Sequence, residues 1–320
     1  MLKMETKEFN QIRQWMYRNA RNIELALWQY EFENGSEETV LDALSFYQNE
    51  DGGFGNALEP DSLNPNSTPY TTNHAINILN SIGFKDAKHP MIRGILRFLD
   101  SGAYFSENGW QFTIPTNNEY PHAIWWTYIP NDATDEFGLT AELVSFILCV
   151  AEKDSPLYKK AITLVEKLIE IPRKSTEHDD SGGNVQGICK LAETLQNLDL
   201  LDKLNAEFLP EAAQKMLSHS IVTDSAKWLE YGGNPHYYIR TPDSIYYKDY
   251  QGAVQQELDY LIQTRPKHDV WGITWTWFEN TEKYAKAFAI SENCWKGFHC
   301  IWKMCFLKNF DRLILEGSHD

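Results

Sequence analysis

Apolar positions in this chain recur at helical spacing. Leu157, Ala161, Leu164, Val165, Leu168 and Ile169 fall at i, i+4, i+7, i+8, i+11 and i+12, one buried stripe on a 3.6-residue helix. Val185, Ile188, Leu191, Ala192, Leu195 and Leu198 form a second stripe. Between them, Pro172 and the polar run 175–183 predict a loop. Residues 139–150 are apolar nearly all round, and 71–82 more mildly so, which predicts helices packed on several sides. A last helical stretch is expected over 281–312, broken near Ser291. Tyr237-Tyr238-Ile239 reads as a short extended piece, and no period-2 strand run stands out. The pattern predicts an all-α chain that alternates half-exposed with buried helices.

Glycine-rich turns punctuate these helices, with last glycines at Gly53, Gly109, Gly183, Gly233 and Gly272. A chain reversing between two helices needs positive φ or close backbone approach there, which favours glycine. The recurrence predicts helix–turn–helix repeats with large insertions. The longest insertions are 101–135, rich in Trp, Asn, Pro and Tyr, and 231–250; such long irregular pieces in a compact domain are usually functional. No Ser/Gly linker divides the chain, so residues 1–320 read as one domain.

Charge narrows the partners. A formal net charge of −16 argues against nucleic acid or an anionic membrane surface, both of which need a basic patch. No run of 18 apolar residues spans a membrane, and the N-terminal residues lack the apolar core of a signal peptide. The odd set Cys149, Cys189, Cys294, Cys300 and Cys305 contains no CxxC pair and fits reduced thiols in a cytoplasmic protein. Aromatic content is the departure from average: with 11 Trp, 16 Tyr and 16 Phe, either some rings do more than fill space or the core is unusually aromatic.

The run Gln48-Asn49-Glu50-Asp51-Gly52-Gly53-Phe54-Gly55, preceded by Ala43, Phe46 and Tyr47, resembles the QW-type repeat of the terpenoid cyclase and protein prenyltransferase superfamily. A second copy, Arg93, Gly94, Phe98, Leu99, Gly109 and Trp110, lacks the Gln; a third, from Lys160-Ala161 to Asp180, Gly182 and Gly183, is degenerate. The resemblance implies an α/α toroid of about six helix pairs in inner and outer rings, with long loops at one end and one central pocket. Its chemistry transfers poorly. The cyclase Asp-x-Asp-Asp acid motif is missing, and Glu177-His178-Asp179-Asp180 is the nearest run. The prenyltransferase Asp-x-Cys zinc motif is also missing; a zinc site from Cys294, His299 and an acid is conceivable, but no metal or other cofactor is assigned.

In such a toroid the turn before an inner helix opens at the pocket mouth. This makes Asp51, Glu59 and Asp61 the candidate catalytic carboxylates, with Asp51 also able to bond the amides of its own turn. Thr68 and Pro69 predict the cap and first residue of the following helix, which carries His74 as pocket base or core histidine. Trp110, Trp125, Trp126, Tyr231, His236, Trp271, Trp275, Trp277 and Glu279 are candidate substrate contacts, because aromatic faces attract cations or stack on sugar rings. Three functions follow: an isoprenoid-handling protein, favoured by the motif; a carbohydrate-active enzyme with paired carboxylates, favoured by the acids, amides and aromatics, Glu136 and Asn184 among them; or a non-catalytic binding toroid. Each takes a small-molecule ligand or partner, and no reaction is assigned.

Overall fold

The computed structural model describes residues 1–107, 109–130, 137–174, 182–230 and 232–315. These are all-helical, with isolated bridge pairs and no strand among the described residues. The helices are α1 (Thr6–Asn19), α2 (Asn22–Phe32), α3 (Glu37–Ser45), α4 (Pro69–Ser81), α5 (Pro90–Asp100), α6 (Phe137–Val150), α7 (Pro156–Leu168), α8 (Glu170–Lys174), α9 (Gly182–Asn197), α10 (Leu209–Ser220), α11 (Tyr247–Thr264), α12 (Glu279–Lys283) and α13 (Ala285–Asn309). None is long and apolar enough to cross a membrane.

The chain divides into two compact units. One comprises 1–43, 221–276 and 285–320; the other comprises 44–220 and 277–284. In the second unit α4, α6 and α9 pack side by side, and α5 packs on α7, α7 on α8 and α8 on α10. Contacts of α6 with α7 and of α9 with α10 join the two rows. The all-round apolar stretch is α6, whose residues are buried except Glu142 and Cys149. Its neighbour α9 approaches closely, since a Cβ on Gly187 would lie 2.5 Å from the Gly138 carbonyl oxygen. Three helices of this unit start by one device. Thr68, His89 and Ser155 each accept a backbone N–H at the N-cap, and Pro69, Pro90 and Pro156 follow at the first position.

The motif turn behaves as a brace. Gly52 adopts φ +94°, and a Cβ there would sit 2.1 Å from the Gly94 carbonyl oxygen of α5. The Gln48 side-chain amide donates to the Gly52 carbonyl (2.9 Å) and the Met91 carbonyl (3.1 Å), tying the turn to α5. Arg97 reaches back to the Glu50 carbonyl at 2.8 Å.

Several expectations change. Residues 235–237 form a 3₁₀ turn, and Tyr238 is right-handed helical, not extended; Pro235 opens the turn with its fixed φ. The C-terminal helix is continuous through Ser291, and the break lies at Tyr284 (φ −122°, ψ 41°), between α12 and α13. Pro172 lies inside the short helix α8, not in a loop, while 175–181 fall outside the described residues. Positive φ is found at Gly52, Gly109, Gly232 and Gly233 but not at Gly53 or Gly272, so the Gly272 turn lacks that requirement. Gly182 and Gly183 open α9.

The first unit packs α1 and α2 against α13, and α13 against α11. Gly297 of α13 lets α2 approach, with Glu24 Cγ 3.2 Å from where a Cβ would stand. Glu24 is fully buried and ion-paired with Arg21 at 2.6 Å.

Candidate functional site

Beyond the motif turn the chain makes an irregular excursion before α4, and hydrogen bonds fix its path. Phe54 donates its N–H to the Thr72 hydroxyl and accepts from the Thr68 N–H, so the turn is seated on the first turn of α4. Asp51 accepts from the Gly53 N–H (2.9 Å) and the Ser67 hydroxyl (2.7 Å). The excursion then runs antiparallel to the aromatic insertion. Leu63 N–H donates to the Pro121 carbonyl, Ala123 N–H to the Asp61 carbonyl, and Ser62 pairs with His122. Asn64 donates to the Thr116 hydroxyl and the Asn117 side-chain carbonyl, both at 2.9 Å, and Asn117 donates to the Trp126 carbonyl.

Where these loops meet α4, Glu59, Ser62, Thr68, Thr71, Asn117 and Trp126 line a narrow, closely packed crevice. The Trp126 indole stacks on Phe112 (4.7 Å) and meets Tyr70 edge-on (4.5 Å). Glu59, Ser62 and Trp126 are all more than nine-tenths buried. The Trp126 indole N–H and the Ser62 hydroxyl have no hydrogen-bond partner among the described residues. A buried polar group left so costs about 1–3 kcal/mol, and such groups are few in folded proteins. Two unmatched polar groups beside a buried carboxylate suit a ligand carrying several small donors and acceptors.

Asp61 is not part of this lining. Its carboxylate accepts the Trp277 indole N–H at 2.6 Å, and both residues are buried. Trp277 begins the segment 277–284, which returns to this unit from far along the sequence. Asn280 donates to the His122 carbonyl at 2.9 Å, and Phe278 meets Trp125 edge-on. Phe278 holds φ 51°, ψ −127°, a costly conformation for a bulky residue.

His122 was not among the sequence candidates. Its Nδ1 faces the Tyr120 carbonyl at 2.6 Å and therefore carries the proton, leaving Nε2 to accept from the Thr127 hydroxyl at 3.1 Å. Burial holds its pKa below the ordinary histidine value; the bond to Tyr120 opposes this, and the nearby Lys283 charge adds to it. The unfolded chain thus takes up this proton at higher pH than the folded one. The His122 contribution is present above about pH 6.5 and declines as pH falls towards the lower folded value. Urea midpoints should therefore fall between about pH 7.5 and 5.5, and His122→Gln should flatten that slope. An unchanged slope in the variant would remove His122 from this role.

The other sequence candidates are dispersed. Asp51 lies outside the crevice lining, its carboxylate spent on the turn. His74 is buried within α4, and Trp110 is fully buried with its backbone N–H bonded to the Thr140 hydroxyl. Trp125 is half-buried and Glu279 is exposed at the start of α12. His236, Trp271 and Trp275 belong to the other unit, apart from Trp277. Tyr231, Glu136 and the 177–180 acids lie outside the described residues. Ser62, Asn117 and His122 had no individual sequence signal, although Asn117 and His122 lie in the insertion singled out for its length and composition. Among the described residues no group of three His, Cys, Asp or Glu is arranged to hold a metal. Comparison with family models, curated proteins and solved structures finds no match to this chain.

Proposed function

We propose that this chain is an α/α-toroid-type protein that binds a small polyhydroxylated molecule, of the carbohydrate class, at the Glu59–Trp126 crevice. The observation that carries the reading is the unmatched Trp126 N–H and Ser62 hydroxyl beside the buried Glu59 carboxylate. A sugar hydroxyl both donates and accepts, so one edge of such a ligand answers both unmatched groups. Glu59 is the group we assign to proton transfer. Asp61, already engaged by Trp277, is a positioning residue. The two helix rows of the second unit support the toroid-type architecture. The acidic charge supports a protein without a nucleic-acid partner, and the five free thiols support a cytoplasmic one.

One observation favours an isoprenoid ligand as second reading: the Gln48 bonds to Gly52 and Met91 give the superfamily-like motif a structural role. The polar crevice lining favours the sugar. Thermal-shift measurements with a panel of mono- and oligosaccharides, run against prenyl diphosphates, separate the two. A ligand at a hundred times its Kd adds about 2.7 kcal/mol of stability. The expected result is stabilisation by at least one saccharide, reduced in Glu59→Gln. Stabilisation by prenyl diphosphates alone would overturn the sugar reading.

A further inference from the structure

The first unit holds a second set of groups that the crevice does not use. Glu257 of α11 is fully buried, and three hydrogen bonds meet it. The His236 backbone N–H donates to one oxygen at 2.9 Å; His236 Nδ1 (2.5 Å) and the Asn234 amide (3.3 Å) donate to the other. The carboxylate facing Nδ1 holds the ring in place and directs Nε2 to the edge away from Glu257. His236 is 5% exposed, and Nε2 has no partner among the described residues. Carboxylate-oriented imidazoles of this kind are good hydrogen-bond acceptors and bases.

The surroundings point to a ligand. The His236 ring lies 4.3 Å from Tyr237, whose ring is 6.4 Å from His299. Around buried His299 stand three half-buried indoles: Trp275 at 5.3 Å, Trp295 at 5.7 Å and Trp302 at 5.2 Å. Burial holds His299 well below the usual histidine range, with the Lys303 charge adding to the effect, so its ring is neutral. The half-buried indoles and the two imidazoles form one aromatic cluster with hydrogen-bonding edges, the bowl. A cation is poorly matched, because three donors already meet the Glu257 carboxylate. Lys303, which lies over Trp271 at 5.7 Å, adds positive charge.

We propose that this aromatic bowl is a second binding site, for a neutral pyranose ring stacked on the indoles and donating a hydroxyl to His236 Nε2. The choice of ligand class rests on the sugar reading of the crevice; the site itself rests on separate residues. Stacking uses the apolar C–H face of the sugar, and the acceptor dyad fixes its register.

Titration of the full chain with methyl β-D-glucopyranoside, cellotriose and maltotriose, read by tryptophan emission, tests this. At least one should give a saturable change. His236→Gln and Trp275→Leu should each weaken that Kd at least tenfold, whereas Glu59→Gln should leave it unchanged. Trp275→Leu leaves the His236–Glu257 pair intact, so it reports on the bowl even if His236→Gln fails to fold. Loss of the response in Glu59→Gln alone would assign it to the crevice and overturn the bowl. A response to tetramethylammonium or acetate in place of the sugars, or none at all, would also overturn it. If the bowl response survives while Glu59→Gln leaves saccharide thermal shifts unaltered, the crevice reading fails and the bowl stands.

Discussion

Replacing Gly52 by alanine is expected to cost about 3 kcal/mol or more, a large share of a typical domain's stability of about 5–15 kcal/mol. Two terms add. At φ +94° an alanine is strained, and its Cβ would stand 2.1 Å from the Gly94 carbonyl oxygen, a backbone atom that can yield only if the turn leaves α5. Gly83 separates the terms, since it also has positive φ (+72°) but no atom within 4 Å of a Cβ. Gly83→Ala should therefore cost only about 1 kcal/mol, from conformation alone. Urea unfolding of the two variants gives the comparison. Equal losses would show that the turn is not pressed against α5.

The second large effect is expected at Trp277. Truncation to alanine removes a fully buried indole, at about 3–5 kcal/mol, and leaves the buried Asp61 carboxylate without that donor. Trp277→Phe keeps most of the ring volume and removes the N–H, so it should cost about 2–3 kcal/mol, near the value of a hydrogen bond to a charged group. Asp61→Asn in the Trp277→Phe background should then be much less harmful than in the native chain, because a neutral amide tolerates the loss of the donor better. Additive losses in that cycle would mean that the 2.6 Å contact contributes little.

Much of the fold was legible because helix signals are local. The stripes from Leu157 and Val185 became α7 and α9, the all-round apolar run became α6, and Thr68-Pro69 capped α4. The misplaced break near Ser291 shows the limit. Helical periodicity continues through that residue, whereas the chain changes course at Tyr284, where segment 277–284 joins residues far away in sequence. The site was legible as a region but not as a set of contacts. Glu59 and Asp61 stood out as carboxylates in a loop, yet what meets the Asp61 carboxylate is Trp277, 216 residues away. The Trp271–Trp277 run read as one aromatic wall, although a unit boundary lies between Thr276 and Trp277. His236 was found as an aromatic-site residue, but its partner Glu257 sits mid-helix, where sequence gives a buried acid no mark distinguishing it from a solvated one.

The late arrival of Trp277 also bears on synthesis. At roughly 5–20 residues per second, a ribosome takes about 10–40 s to extend the chain from Asp61 to its indole partner. Throughout that interval the Asp61 carboxylate has not met the donor that accompanies its burial, and the crevice loops lack the segment that bonds His122. The second unit is therefore expected to mature after translation has passed the 277–284 segment, exposing α4 and its preceding loop to chaperones and proteases until then.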